Sequence, residues 1–319
     1  MKIYPSSLSM EQLKVFGVKS PHSLGSDFYI LNRVPYTASI ANFPPGQVIP
    51  IGYSEPSAAG DERLFAVVDL ETTGFEHDSE IIEIGLLRGT YSPSEGRITS
   101  IDSVCSMLQE PSKPLRPIIT EVTGLTDEAL AGQRICEDRV AGMLDGVELL
   151  IAHNAKFDRR FFDKRFPQFA NKTWACSSKG GDIDWKAAGH RSSALESLLL
   201  DYGYFYDAHR ASIDCMATAW LLLVADGKFG ELISSVESSL YLVEALGAPY
   251  DVKDNLKGAG FIWNGDDKIW HTSVKGDAAL QDLAQFLSRL YPSARESMRI
   301  VEVPTNLRHA NIDLNTLPR

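Results

Sequence analysis

The chain has 319 residues, 44% of them hydrophobic and 23% charged, a balance that fits a soluble globular protein too long for one ordinary compact domain. Its formal net charge of −11 has the wrong sign for holding nucleic acid by bulk attraction, so any such contact would need a local basic strip. The longest apolar run, Ala219–Ala225, is too short for a bilayer span, and Met1-Lys2-Ile3-Tyr4-Pro5 lacks the apolar core of a secretory signal. Cys105, Cys136, Cys176 and Cys215 form no Cys-x-x-Cys pair, which argues against a zinc site or disulfide scaffold and fits a reduced cytoplasm, while the short apolar runs imply no membrane partner.

Residues 1–62 carry Pro5, Pro21, Pro35, Pro44, Pro45, Pro50 and Pro56 without sustained periodicity. They read as an extension with a few short strands, such as Phe28-Tyr29-Ile30-Leu31. From residue 63 to 228 strands and helices alternate. Leu64–Leu70, Glu80–Arg88 and Ile98–Leu108 have the apolar content of three successive strands, and Val140–Leu144 closes a helix. Val147–Ala152 is a fourth strand feeding a helix at Lys156–Phe166, Trp174–Cys176 a fifth, and Ala194–Tyr202 and Ala211–Ala225 are helices. A meander followed by alternation implies an α/β mixed sheet flanked by helices. Lys228-Phe229-Gly230 reads as a hinge to a small α+β domain at residues 235–305, followed by a tail at 306–319. In that domain Tyr241–Val243 and Ile300–Val303 have strand character, and Val252–Gly258 and Ala278–Leu290 helical character. Phe261–Trp263 and Lys268–Trp270 flank Asn264-Gly265, a hairpin turn signal.

The chemistry begins at the end of the first of these strands, in Val67-Val68-Asp69-Leu70-Glu71-Thr72-Thr73-Gly74. Strand side chains alternate, so Asp69 and Glu71 leave on one face, and no Lys or Arg between Val67 and Gly74 neutralises them. Such a pair suits a hard divalent cation, although an isolated Asp-x-Glu also describes two solvated acids. Asp158 follows in the first turn of the helix after His153-Asn154, where a helix dipole alone would favour it. His209 precedes Asp214 by five residues, which is roughly 140° around a continuous helix, so the histidine belongs in or before the first turn.

Together Asp69-x-Glu71-Thr72-Thr73-Gly74, His153-Asn154-x-x-Phe157-Asp158 and His209-x-x-x-x-Asp214 resemble the DEDDh family of 3′–5′ exonucleases. Ile119-Thr120-Glu121-Val122-Thr123-Gly124-Leu125-Thr126-Asp127-Glu128 resembles it too, and the nearest flavour is the epsilon proofreading subunit of bacterial DNA polymerase III and its stand-alone relatives. The resemblance covers residues 63–228 and implies a ribonuclease-H-like fold. It implies that Asp69, Glu71, Asp158 and Asp214 hold two divalent ions, Mg2+ or Mn2+, and that His209 is the general base for the attacking water. It further implies stepwise release of nucleoside 5′-monophosphates from a 3′ end, with DNA placed ahead of RNA and single strands ahead of duplex. A proofreading subunit with a polymerase or repair partner and a stand-alone DNA repair or phage-defence nuclease are both open, and the folded unit after Lys228 favours the stand-alone form. The competing readings are an exoribonuclease like RNase T and oligoribonuclease, and a silent nucleic-acid-binding module.

Expected substrate contacts are Thr72, Thr73, Gly74 and Phe75 at the terminal nucleotide, with Asn154 and Thr123 flanking it. Lys156, Arg159, Arg160, Lys164 and Arg165 form a strip on the following helix that would guide a phosphate backbone or simply be a solvated face. Trp263 and Trp270, with Lys253, Lys257, Lys268 and Lys275 nearby, would stack bases or, more in keeping with a small module, fill its core.

Overall fold

A computed structural model describes residues 31–178, 180–265 and 267–310 of the protein. The strand expected at Phe28-Tyr29-Ile30-Leu31 lies outside these residues except for Leu31, as does the tail beyond residue 310. Two compact units divide between Ile233 and Ser234.

The first unit is built on a six-stranded sheet. Its strands are β1 (Val48–Ser54), β2 (Arg63–Thr72), β3 (Ile81–Ser92), β4 (Arg97–Leu108), β5 (Leu149–Ala152) and β6 (Thr173–Cys176), in the order β1-β4-β3-β2-β5-β6. The β1–β4, β4–β3 and β3–β2 pairs are antiparallel, while β2–β5 and β5–β6 are parallel. Helices α1 (Pro117–Thr123), α2 (Glu137–Leu144), α3 (Ala155–Arg165), α4 (Leu195–Asp201) and α5 (Ala211–Val224) follow the meander or alternate with the later strands. Phe65–Val68 are fully buried because β2 is covered on both faces, which is why it reads as an unbroken apolar run.

The pleat sorts the two faces. Ala66, Val68 and Leu70 turn to a core that includes Val140, Met143 and Leu144 of α2 and Phe161 and Phe162 of α3. Val67, Asp69 and Glu71 alternate to the opposite face. There α5 lies against β2 and β3, and the Cys215 thiol donates to the Val67 carbonyl at 3.5 Å. This helix approaches the sheet closely at Gly85, the residue paired with Asp69, where an added Cβ would stand 2.3 Å from the Ala211 carbonyl carbon.

Two boundaries differ from expectation. Val48–Ser54 falls in the segment set apart as an extension, yet it is the outer strand of the sheet, pairing with β4 through a register shift between Pro50 and Tyr53. Proline is tolerated at such an edge, so its presence hid the strand. Lys228-Phe229-Gly230, expected as a hinge, begins the helix α6 (Lys228–Glu237), and Phe229 is buried with its ring centroid 6.0 Å from that of Phe65.

The second unit runs β7 (Leu240–Ala245), α7 (Lys253–Gly258), β8 (Ile262–Asn264), β9 (Ile269–Lys275), α8 (Asp277–Leu290) and β10 (Met298–Val303). The strands form an antiparallel sheet in the order β8-β9-β7-β10, the split βαββαβ arrangement. Asn264 pairs with Ile269, so the two strands meet in a hairpin at the Asn264-Gly265 signal. Trp270 packs on the core around Leu256, Leu287 and Tyr291. Trp263 stacks beside it at 5.3 Å and remains 48% exposed. No helix among the described residues is long and apolar enough to cross a membrane.

The close approach at Gly85 predicts that Gly85→Ala destabilises the protein by about 1–3 kcal/mol, since the helix backbone must retreat. Gly142→Ala, at an exposed position of α2 where an added Cβ meets nothing within 4 Å, should stabilise by about 0.5–1 kcal/mol. Urea unfolding of both variants checks the contrast; equal effects would refute it.

Candidate active site

Asp69 and Glu71 project from the end of β2 toward the start of α5, which brings Asp214. One carboxylate oxygen from each of Asp69, Glu71 and Asp214 lies within 4.8 Å of the others, an arrangement that could hold a metal ion. The register sharpens the crowding, because Glu71 pairs directly with Glu83 across the sheet. Burial, and then the fields of Asp214, Asp158, Glu71 and Glu83, hold the Asp69 carboxyl well above the usual carboxylate range. Burial, Asp214 and Glu83 push Glu71 up to about 8, against a lowering pull from Arg210. These groups have the donor set and the unrelieved repulsion that a hard divalent cation would satisfy.

Asp158, in the first turn of α3, is 3% exposed, and its Oδ1 accepts the Leu70 backbone N–H at 3.0 Å. Burial raises it to about 8 despite that hydrogen bond, and its charge is felt at Asp69 and Glu71. It therefore adjoins the cluster without being one of the three whose oxygens converge. Asp214 is raised less, to about 6, because the Tyr206 hydroxyl and the Arg210 backbone N–H stabilise its charge against burial. The hydroxyl donates to Oδ1 at 3.1 Å and the N–H to Oδ2 at 3.0 Å.

His209 is exposed and lies just before α5 in left-handed backbone, φ 69°, close enough that its charge lowers the pKa of Asp214. That placement outside the helix is what the five-residue spacing requires. The other histidine of the motifs is structural. His153 Nε2 lies 2.8 Å from the Ser193 carbonyl, so Nε2 carries the proton and Nδ1 accepts the Ser177 hydroxyl at 2.9 Å. Burial depresses its pKa to about 4, and it joins β6 to the loop before α4 as a neutral ring.

The expected substrate contacts divide. Phe75 is 77% exposed beside Phe157, ring centroids 5.7 Å apart, so it is available to a base. Thr72 is buried, its hydroxyl donating to the Gly74 carbonyl at 2.7 Å, and the Thr73 hydroxyl accepts the Glu80 N–H at 3.0 Å. Both shape the turn. Gly74 is buried and hemmed in by the Glu76 and Arg116 side chains. Asn154 is exposed at the N-cap of α3 with φ 100°. Thr123 is buried, donates to the Ile119 carbonyl at 2.9 Å and accepts the Leu125 N–H at 3.1 Å; its hydroxyl secures the end of α1.

The basic strip is largely committed elsewhere. Arg159 is 1% exposed, paired with Asp163 at 2.9 Å and set over Trp174. Arg160 donates to the Phe75 carbonyl at 2.8 Å, Lys164 to the His77 carbonyl at 3.2 Å, and Arg165 pairs with Glu137. Of the strip, Lys156 and Lys164 are the exposed members.

Sequence reasoning missed the residues that support the acids. Glu83 is fully buried, accepts from the Arg210 guanidinium at 3.1 and 3.2 Å, from the Ala211 N–H at 3.3 Å, and from the Ser106 hydroxyl. A lone Glu inside an apolar strand, in Ile81-Ile82-Glu83-Ile84-Gly85, was the available signal. Tyr206 carried none.

Residues 66–222 match a family model described as Exonuclease. Among curated proteins, the PolC-type DNA polymerase III of Thermotoga maritima is 30% identical over 199 residues, covering 57% of this chain and 13% of its own length. The 3′–5′ exonuclease DinG of Staphylococcus saprophyticus is 32% identical over 200 residues, covering 60% of this chain and 21% of its own. The chain thus spans between about an eighth and a fifth of the length of these relatives. Among solved structures, an exonuclease X bound to 5′-overhanging duplex DNA is 24% identical with a TM-score of 0.40, covering 53% of this chain and 99% of that one. On its mixed, ribonuclease-H-like sheet, the stretch at residues 66–222 is an exonuclease-family domain.

Proposed function

We propose that the protein is a metal-dependent 3′–5′ exonuclease that hydrolyses phosphodiester bonds at single-stranded 3′ ends of DNA and releases nucleoside 5′-monophosphates. The observation that carries this reading is the convergence of Asp69, Glu71 and Asp214 oxygens within 4.8 Å, with Asp158 adjoining and His209 exposed at the rim. Support for DNA comes from the relative named as DNA polymerase III, and support for the 3′–5′ direction from the relative named as a 3′–5′ exonuclease.

Asp69, Glu71, Asp158 and Asp214 would hold two divalent cations, magnesium or manganese, which when bound supply charge stabilisation to the attacking and departing oxygens of an in-line displacement. Asp158 serves with one oxygen anchored on the Leu70 N–H, and Asp214 with both oxygens oriented by Tyr206 and Arg210. His209, exposed just before the helix that carries Asp214, accepts the proton of the attacking water as general base. Phe75 packs on the terminal base, on a turn shaped by Thr72 and Thr73 and held by Arg160 and Lys164.

The raised carboxyls give the pH dependence a sign. A cation must displace protons held by groups with pKa about 8 for Glu71 and Asp158 and about 6 for Asp214. Calorimetry with manganese should show affinity rising by about tenfold or more from pH 6 to pH 8, with proton release into the buffer. Carboxyls that are raised on folding bind more protons folded than unfolded, so the metal-free protein should lose stability as pH climbs from about 4 to 8. Saturating cation should restore it, and a cation-insensitive melting profile would refute the assignment.

With 5′-labelled single-stranded DNA, duplex DNA and RNA, a ladder shortening from the 3′ end is expected for single-stranded DNA. Asp69→Ala should abolish it together with tight cation binding. His209→Ala should lower kcat by about 10²–10⁴-fold and leave the heat of cation binding in place. Full activity in Asp69→Ala would overturn the reading, and an RNA-only ladder would move it to the exoribonuclease class.

A further inference from the structure

His209 sits in a backbone conformation that non-glycine residues adopt only when their surroundings hold them there, φ 69°. One side of that restraint is the Asp214 carboxylate, which accepts from Tyr206 three residues earlier and from Arg210 one residue later. The other side comes from outside the family match, which begins at residue 66. Asn32–Arg33 pairs in parallel with Tyr204–Phe205, the Asn32 N–H donates to the Gly203 carbonyl and the Val34 N–H to the Phe205 carbonyl, each at 2.9 Å. The Arg33 guanidinium lies 5.0 Å over the Phe205 ring and pairs with Asp207, two residues before His209.

From there the segment crosses α5 to the edge of the sheet. Val34, Thr37 and Ile40 are buried, the Thr37 hydroxyl closes the turn on the Val34 carbonyl at 2.7 Å, and the helical turn Thr37–Ile40 packs against α5. Ile40 and Phe43 share a small cleft with Arg210 and Ile213. The Gly46 N–H donates to the Ser106 carbonyl at 2.6 Å, and the Ser106 hydroxyl donates to Glu83, the partner of Arg210. Residues 32–46 are therefore tied to the histidine-bearing loop at one end and to the support of Arg210 at the other.

We infer that this segment is a strap that positions His209 for proton transfer, with Arg33 as its principal positioning residue through Asp207. The inference rests on the exonuclease reading, since it assigns a purpose to the fixing of a catalytic histidine. Arg33 pairs with Asp207 and with none of Asp69, Glu71, Asp158, Asp214 or Phe75, so it acts on turnover and not on cation or substrate affinity. A misplacement of the base by a fraction of an ångström is sufficient, because proton transfer depends steeply on geometry.

The test is a charge-swap cycle in the full chain: Arg33→Glu, Asp207→Arg and the double variant, assayed with manganese on short single-stranded DNA. Each single variant should lower kcat by about tenfold with KM within about twofold, an unchanged heat of manganese binding and a melting temperature within a few degrees of wild type. The double variant should recover most of the lost kcat. Wild-type kcat in Arg33→Glu, a loss the double variant does not reverse, or a parallel loss of manganese affinity would each overturn the inference. If the wild-type protein hydrolyses none of the substrates, the exonuclease reading fails by itself. The strap is then decided by the NMR ring signals of His209, identified by their loss in His209→Gln: a shift in Arg33→Glu reversed in the double variant supports it, and unchanged signals overturn it.

Discussion

Mutual repulsion among carboxylates at one end of β2 is the constraint around which the first unit is organised. Asp69, Glu71 and Asp214 converge, Asp158 adds its field, and Glu83 lies opposite Glu71 in the register. These groups are buried or half-buried, so each charge costs more than it would on a surface. The protein answers with donors aimed at the outer oxygens: the Leu70 N–H on Asp158, Tyr206 and the Arg210 N–H on Asp214, and the Arg210 guanidinium on Glu83.

Holding acids this close depends on apolar architecture. The α5 helix brings Asp214 to the sheet only because Gly85 leaves room for the Ala211 backbone, directly across from Asp69. The opposite face of the sheet is packed by Phe161, Phe162 and Phe166 with Trp174, which seats α3 and so aims Asp158. Arg159 belongs to that packing, its guanidinium placed over Trp174. Since Arg160 and Lys164 brace the Phe75 turn, the helix following Asp158 serves the geometry of the site more than it offers free positive charge. A chain of net charge −11 with so small a free strip gains little from long-range attraction of a polyanion.

Much of this was legible in the residues. The meander and the later strands fall within a few positions of where apolar runs placed them, because strands buried on both faces leave a strong apolar signal. The family resemblance singled out Asp69, Glu71, Asp158, His209 and Asp214, and the fold brings oxygens of Asp69, Glu71 and Asp214 together. The outer strand at Val48–Ser54 was not, since an edge strand with Pro50 carries neither alternation nor an apolar run. Arg159 and Thr123 misled for a common reason: a charged or hydroxylic side chain looks exposed until its partner, here Asp163 or the end of α1, is known.

The division follows from the range of the forces. Local pattern determined which segments extend and which coil, the face on which Asp69 and Glu71 emerge, and that His209 could not share a helical face with Asp214, because these depend on neighbours a few residues away. Only the tertiary structure decided that the oxygens of Asp69 and Asp214 meet, that Glu83 and Tyr206 support them, and that Arg33 reaches Asp207 across 174 residues of chain. Those facts depend on the sheet order and on the approach of one helix, and contacts between distant segments leave no periodic trace in a single sequence.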